Sequence, residues 1–141
     1  MTILFAFVCI ISMAVTFTSC SKSEVAKKVD EMKKEIPFGF YGMDVKDMEV
    51  SGDNVVITLT QSALSNSDEG AELDMLFAMA SESETKTVLQ KALESTENSN
   101  MHELQELCVK EQKGIKFIWD SKYDGDTKKD LCEIKAGELE L

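Results

Sequence analysis

The chain is poor in the side chains that most enzyme sites require. It has one histidine, His102, so a Ser-His-Asp or Cys-His arrangement would have to be built around that single residue. His102 belongs to no recognisable motif, and we expect it to face solvent near the start of a helix. The sequence contains no glycine-rich phosphate loop and no dinucleotide-binding fingerprint. We therefore predict a protein that is not an enzyme.

Metal-binding patterns are also missing. No spacing of cysteine or histidine suits zinc, and the segment Asp124-Gly125-Asp126 lacks the alternating oxygen ligands of a calcium loop. Asp120 and Asp130 flank the same segment, so these acids either hold a cation weakly or are simply solvated. Nothing singles out two of the 26 acidic residues as a glycosidase pair. We expect no metal and no other cofactor.

Positive charge is scarce. Fifteen basic residues stand against 26 acidic ones, which gives a formal net charge of −11. Such a surface repels phosphate backbones and anionic lipid headgroups, and it attracts cationic partners. We therefore predict no nucleic-acid binding and name a cationic envelope protein as the candidate partner. Glu103, Glu106 and Glu111, on the expected exposed side of a helix, are the candidate partner-binding residues.

The first 19 residues contain no charged side chain. Residues 3–17 are almost wholly apolar, yet this run is too short for a ~30 Å hydrocarbon core, which needs about 20 residues. Such a run is typical of the apolar region of a signal peptide. Thr18 and Ser19 stand directly before Cys20, and this order resembles the lipobox of bacterial lipoproteins. The alternative interpretation is a short membrane anchor that is not cleaved.

The resemblance implies a signal peptide over residues 1–19, a lipidated Cys20 with a tether to residue 24, and a single domain over residues 25–141. In lipoproteins the signal is cleaved before the cysteine, which then carries lipid on its thiol and its new amino group. The signal is similar to those of Bacteroides-type lipoproteins. Because residues 21–24 lack the acidic run of a surface-export signal, we expect the outer membrane, with the protein facing the periplasm.

Two cysteines remain once Cys9 leaves with the signal and Cys20 takes the lipid. In an oxidising periplasm, Cys108 and Cys132 suggest one disulfide. Helical spacing and strand alternation turn both side chains towards the core, which is the geometric condition for a bridge. The alternative is two buried free thiols that pack as small hydrophobic side chains.

Apolar periodicity predicts one helix and two β-hairpins. Residues 24–35 carry an apolar residue at each helical turn, and Pro37 ends this helix. Alternating apolar residues flank two turns, at residues 52–53 and 124–125. The predicted pairs are Val50 with Val55, Met48 with Ile57, Phe117 with Cys132 and Ile115 with Ile134.

Amphipathic segments between the two hairpins predict two or three further helices. Met75 and Met79, four residues apart, either form an adaptable groove or fill the core. The aromatic segment 38–43 is likewise either a binding lip or a lid over the end of the core. The predicted apolar stripes are Leu73, Leu76, Phe77 and Ala80, then Val88, Leu89, Ala92 and Leu93, then Met101, Leu104, Leu107 and Cys108.

We therefore expect an α+β domain: an N-terminal helix, two β-hairpins in one antiparallel sheet, and central helices packed on one face. The chain has an early proline with glycines before a hairpin, a Cys-containing helix that runs into Gly-Ile-Lys-Phe-Ile-Trp, a Tyr-Asp-Gly turn and a last cysteine. On these motifs residues 36–134 resemble the small exported proteins of unknown function of Gram-negative bacteria, which implies the same class. We predict a lipid-anchored cell-envelope protein that acts as a non-catalytic binding or structural module. The alternative is a periplasmic neutraliser, of inhibitor or immunity type, of a basic enzyme.

Overall fold

Helices cover one face of a five-stranded sheet in the computed structural model, which describes residues 23–123 and 128–139. None of the helices in these two ranges is long and apolar enough to cross a membrane. The α+β class is confirmed. In chain order the elements are α1 (Glu24–Lys33), β1 (Phe38–Phe40), β2 (Met43–Ser51), β3 (Asn54–Gln61), α2 (Ser67–Met79), α3 (Glu82–Ser95), α4 (Ser99–Glu111), β4 (Gly114–Asp120), β5 (Lys128–Ile134) and a 3₁₀ turn, Ala136–Glu138.

The sheet is mixed, whereas the sequence predicted a wholly antiparallel one. Its strands lie in chain order from β1 to β5, and every neighbouring pair is antiparallel except β3 and β4, which are parallel. The chain leaves one end of β3, passes through three helices and returns to the other end before β4 begins. A short turn forces an antiparallel pair, but a long crossover of this kind permits a parallel one. The aromatic segment 38–43 also supplies β1, which was not predicted.

Both predicted hairpin registers are confirmed. Val50 lies opposite Val55 and Met48 opposite Ile57. In the second hairpin Phe117 lies opposite Cys132, and Ile115 lies opposite Ile134. The turn predicted at residues 124–125 lies outside the described residues, as do Cys20 and the predicted signal over residues 1–19.

The core lies between the helices and the apolar face of β3 and β4. Val55, Ile57 and Leu59 on β3 are fully buried, as is Phe117 on β4. The ring of Phe117 stacks on that of Phe40, with centroids 5.9 Å apart. Each such side chain contributes about 1.5–3 kcal/mol through burial, so the central pair of strands supplies much of the stability.

The opposite face of the sheet carries most of the charged side chains, since side chains alternate along each strand, together with the half-buried Val56 and Ile118. Lys46 and Asp120 form an ion pair on it at 2.7 Å, and Lys116 and Asp130 form another at 3.2 Å. Asp120 itself is buried. The acids that the sequence grouped around residues 124–126 are thus partly used in ion pairs across the strands.

Helix α1 matches its prediction closely. Ser23 caps it by accepting a hydrogen bond from the backbone N–H of Ala26 at 3.0 Å. Val25, Val29 and Met32 are buried, so one stripe of the helix faces the core. The helix ends before Pro37, as expected from the bias of proline against a helical residue ahead of it.

The predicted disulfide between Cys108 and Cys132 is not supported. Both cysteines are buried free thiols in the structure. Cys108 lies on α4 with Glu111 and Lys113 as its charged neighbours, whereas Cys132 lies on β5 near Glu82 and Lys86. The two side chains face the same core but occupy different parts of it. Inward direction is a necessary condition for a bridge, and it does not bring two sulfur atoms together.

Both thiols should be unreactive in the folded protein. Burial raises the pKa of Cys108 and of Cys132 from 9.0 to about 12, so each keeps its proton where an unfolded thiol ionises. Their contribution to stability is complete below pH 9.0 and should fall as the pH rises towards about 12.

Maleimide labelling at pH 8 should therefore modify neither residue until urea unfolds the protein. A variant with Cys108→Ala and Cys132→Ala is the matched control for the alkaline loss of stability, which it should show less steeply. A peptide map that recovers the two cysteines linked to each other would contradict the free thiols.

Candidate functional site

An apolar groove with a volume of about 420 Å³ lies between α2, α3 and the turn that follows β1. Solvent reaches large apolar side chains on its walls, and Leu76, for example, is 57% exposed. A volume of this size is typical of sites that bind ligands, which occupy ~300–1,000 Å³. The lining residues are Tyr41, Gly42, Met43, Leu73, Leu76, Phe77, Ala80, Glu84, Thr85 and Val88.

A second depression continues the groove along the outer side of α2. It adds Glu72, Met75 and Met79 and shares Leu76, Ala80 and Glu84 with the first. Met75 is 62% exposed and Met79 is 78% exposed, so core filling is wrong, and both side chains line this open depression. We call the two depressions together the α2–α3 groove. Contiguous exposed apolar residues of this kind mark interaction surfaces.

Helix α2 is fixed to the sheet through one aromatic contact and one close backbone approach. The ring of Phe77 lies 4.7 Å from that of Trp119, centroid to centroid, with the planes tilted by 47°. At Gly70 the helix meets the ring of Tyr123 so closely that a Cβ atom would lie 2.0 Å from a ring carbon. Glycine is therefore required at this position for α2 to lie where it does.

A partly buried polar cluster also holds α2. The Asp74 carboxylate accepts hydrogen bonds from Gln61 Nε2 at 2.9 Å, from Trp119 Nε1 at 2.7 Å and from the Ser121 hydroxyl at 2.8 Å. Gln61 also donates to the carbonyl of Gly70 at 3.2 Å. Gln61, Trp119 and Ser121 are buried, whereas Asp74 is half-buried, so these bonds are partly shielded from water. A buried donor that loses its partner is costly. Sequence reasoning missed this cluster because its members are far apart in the chain.

The charged residues that line the α2–α3 groove are acidic. They are Glu72 and Glu84, and within the described part of the chain neither forms an ion pair with a lysine. Glu84 also closes the capping box of α3: its side chain accepts from the Ser81 backbone N–H at 2.8 Å. The hydrogen bonds from the Ser81 backbone and then its side chain lower the pKa of Glu84. Glu84 therefore carries a negative charge at neutral pH.

The three acids predicted to bind a partner lie elsewhere, on α4. Glu103 forms an ion pair with Lys28 of α1 at 2.5 Å. Glu111 accepts a hydrogen bond from the backbone N–H of Glu24 at 2.9 Å, at the start of α1. Glu106 is exposed. Two of the three thus join α1 to α4 within the molecule, on a different part of the surface from the groove.

No metal-binding arrangement appears in the parts of the chain that the structure covers. His102 is exposed, as expected, and its Nε2 atom lies 2.6 Å from the carbonyl oxygen of Thr96. Across residues 23–123 and 128–139, no three His, Cys, Asp or Glu side chains are grouped so that they could hold a metal ion. What the site offers is apolar surface with acids at its edge, which suits binding.

Substitutions at Asp74 should separate the charge of the cluster from its hydrogen bonds. In Asp74→Asn the new amide oxygen can still accept from Gln61 and Trp119, and its NH₂ group can donate to Ser121, so we expect a loss of less than ~1.5 kcal/mol. Asp74→Leu removes the acceptor of all three bonds and leaves the buried Trp119 Nε1 without its partner, at a cost of ~1–3 kcal/mol for that donor, so it should be less stable than Asp74→Asn.

Urea unfolding followed by the fluorescence of Trp119, the only tryptophan, measures both variants. Glu106→Gln on the exposed side of α4 is the control and should match the parent protein. Equal stability of the Asn and Leu variants would show that the cluster does not fix α2.

No protein-family model and no curated protein matches this chain. Among solved structures, a Pseudomonas aeruginosa protein described as secreted matches with a TM-score of 0.51 and 13% identity, over 83% of this chain and 94% of that one. The pilotin of the Vibrio vulnificus type 2 secretion system matches with a TM-score of 0.46 and 9% identity, over 83% and 89% of the two chains. A type II secretion system pilotin from Vibrio cholerae matches with a TM-score of 0.44 and 12% identity, over 79% of this chain and 83% of that one. At 13% identity, the match with the Pseudomonas protein shows that the two chains share a fold and nothing further.

Proposed function

We propose that this protein is a lipid-anchored module of the bacterial cell envelope that binds a protein partner through the α2–α3 groove and catalyses no reaction. The observation that carries the proposal is the groove itself. Leu76, Met75 and Met79 stay in contact with water at the edge of a folded domain, although burying each would gain about 1.5–3 kcal/mol. A partner that covers these side chains recovers that free energy on binding.

The position of the groove suits a protein tethered at its N-terminus. Helix α1 begins beside Glu111, at the end of α4, and Gly114 then starts β4 next to the turn between β2 and β3. The groove includes Met43, at the other end of the sheet. The seven residues of β4 span about 20 Å between these two ends. A lipid on Cys20 would therefore hold the groove away from the membrane surface, where a partner can reach it.

We place the anchored protein on the periplasmic side of the outer membrane, with Cys20 as the site of lipid attachment. The sequence ahead of Cys20 supports this location, since it resembles a lipoprotein signal. A second candidate function is the neutralisation of a basic enzyme in the periplasm. The formal net charge of −11 favours it, and inhibition of such an enzyme would separate it from a role in assembly or scaffolding.

The anchor can be tested at Cys20. Cells fed an alkyne analogue of palmitate should label the parent protein and fail to label Cys20→Ala, because the acyl chains attach at that residue. Each buried methylene contributes about 0.8 kcal/mol, so only a protein with several acyl chains stays firmly in the membrane fraction.

The matched control is Cys108→Ala, which should be labelled like the parent. Label that persists on Cys20→Ala, or a parent protein whose mass still includes residues 1–19 and no acyl group, would contradict lipid anchoring.

The groove can be tested with a photo-crosslinking residue placed at Met79. Because this side chain is 78% exposed, the replacement should leave the fold intact and still lie within reach of a bound partner. We expect one discrete crosslinked product in intact cells. The same residue at Glu106 on α4 should give none, and adding Leu76→Lys to the Met79 protein should remove the product. Equal crosslinking from both positions would show that the groove is not the binding site.

A further inference from the structure

We infer that the segment bound in the α2–α3 groove is an amphipathic α-helix of the partner, with an apolar stripe flanked by lysine or arginine. The inference rests on the proposed binding function and adds the chemistry of the occupant. It follows from three features of the groove: the flexible apolar side chains that line it, its small number of free backbone hydrogen-bonding groups and the sign of its charge.

The apolar side chains that line the groove suit a bound helix that inserts several side chains between them. Met75, Leu76 and Met79 recur at helical spacing on α2, and Val88 faces the groove from α3. A helix docked in a groove inserts its residues at i, i+3, i+4 and i+7, which form a matching row. The unbranched methionine side chains can adapt to the exact shape of those residues.

The walls of the groove offer a bound chain few hydrogen-bonding groups. They are formed by two helices, by the turn after β1 and by Met43 of β2. Most backbone groups of the helices bond within each helix, and the carbonyl of Phe77 near the end of α2 accepts from Lys129 Nζ. Met43 is already paired with Phe40 on one side and Gln61 on the other. The hydroxyl of Thr85, one of the polar liners, already donates to the Ser81 carbonyl at 3.0 Å. A bound strand would leave its own N–H and C=O groups without partners here, whereas a helix satisfies nearly all of them internally. The groove therefore favours a helix over an extended segment.

The charges at the groove call for a cationic partner. Glu72 and Glu84 stand on its two helical walls. Helix α2 carries four acids and no base over its whole length. The nearest lysine of α3, Lys86, is already paired with Glu138 at 2.6 Å. Lysine or arginine on both flanks of the bound helix would lie opposite the two walls, which fixes its position and speeds its association.

Three synthetic peptides of about 16 residues test the occupant, a length close to the minimum for a stable helix. The first has leucines at i, i+3, i+4 and i+7 with lysine flanks. The second keeps the leucines and replaces every lysine by glutamate. The third keeps the lysines and scrambles the leucine positions. Fluorescence anisotropy measures binding of each to the full protein held in nanodiscs, with empty nanodiscs as the blank.

The lysine-flanked helix should bind at least about tenfold more tightly than either of the other two peptides. Leu76→Lys should weaken binding of this peptide by about tenfold or more, because the substitution puts a charge among the apolar side chains of the groove. Leu64→Lys is the matched control: Leu64 is 94% exposed but lies ahead of α2, outside the groove, so its affinity should equal that of the parent.

A double variant, Glu72→Gln with Glu84→Gln, tests the charge alone. Glutamine can still close the capping box of α3, so the fold is kept while both charges are removed. It should weaken the lysine-flanked helix by about fivefold and flatten the dependence of that affinity on salt. Glu106→Gln, which removes one charge from α4, should change neither.

Equal affinity for the lysine and glutamate peptides, or equal affinity of the parent and Leu76→Lys for the lysine peptide, would overturn the inference. So would a crosslink from Met79 to a second copy of this chain. These results are separable from failure of the proposed function. If Met79 crosslinks a partner in cells and the lysine peptide does not compete with it, the binding role stands and the cationic helix is wrong.

Discussion

The parallel pairing of β3 with β4 is the constraint on which the rest of the structure depends. Because the two strands run in the same direction, the chain must return along the whole sheet between them, and α2, α3 and α4 form that return. The junction of α2 and α3 therefore lies over one end of the sheet, and the end of α4 lies over the other. The groove and the start of α1 are separated by this crossover, so the proposed tether ahead of α1 would leave the groove accessible at the other end of the sheet.

Helix α2 is attached by a few specific contacts instead of a broad apolar face. Of its residues only Gly70 and Phe77 are buried. The Asp74 cluster fixes the helix by three hydrogen bonds that are partly shielded from water, and several such bonds to one carboxylate favour a single arrangement of the helix. The remaining apolar residues of the helix, Leu76 and Met79 among them, are thereby left for the groove. The polar contacts hold one side of α2 in place, and the other side presents apolar surface. A preformed binding site requires both.

The acidic residues divide into two groups with different roles. Glu103 and Glu111 join α1 to α4 and so keep the helix that follows the proposed anchor in place. Glu72 and Glu84 border the apolar groove, where they can act on a partner. Apolar burial supplies most of the affinity in such an interface, and charge supplies orientation and rate. The positions of the acidic residues therefore say more about their roles than the total charge of the chain does.

The sequence by itself determined the local structure. A cap and Pro37 bound α1, and the period of two around residues 52–53 set the register of the first hairpin, because these features depend on neighbours in the chain. It also set the α+β class. Only the tertiary structure decided that the two hairpins join in parallel, that Cys108 and Cys132 stay free, and that Met79 faces water. The physical reason is that periodicity shows which side chains share a face, whereas what covers that face depends on segments far away in the chain.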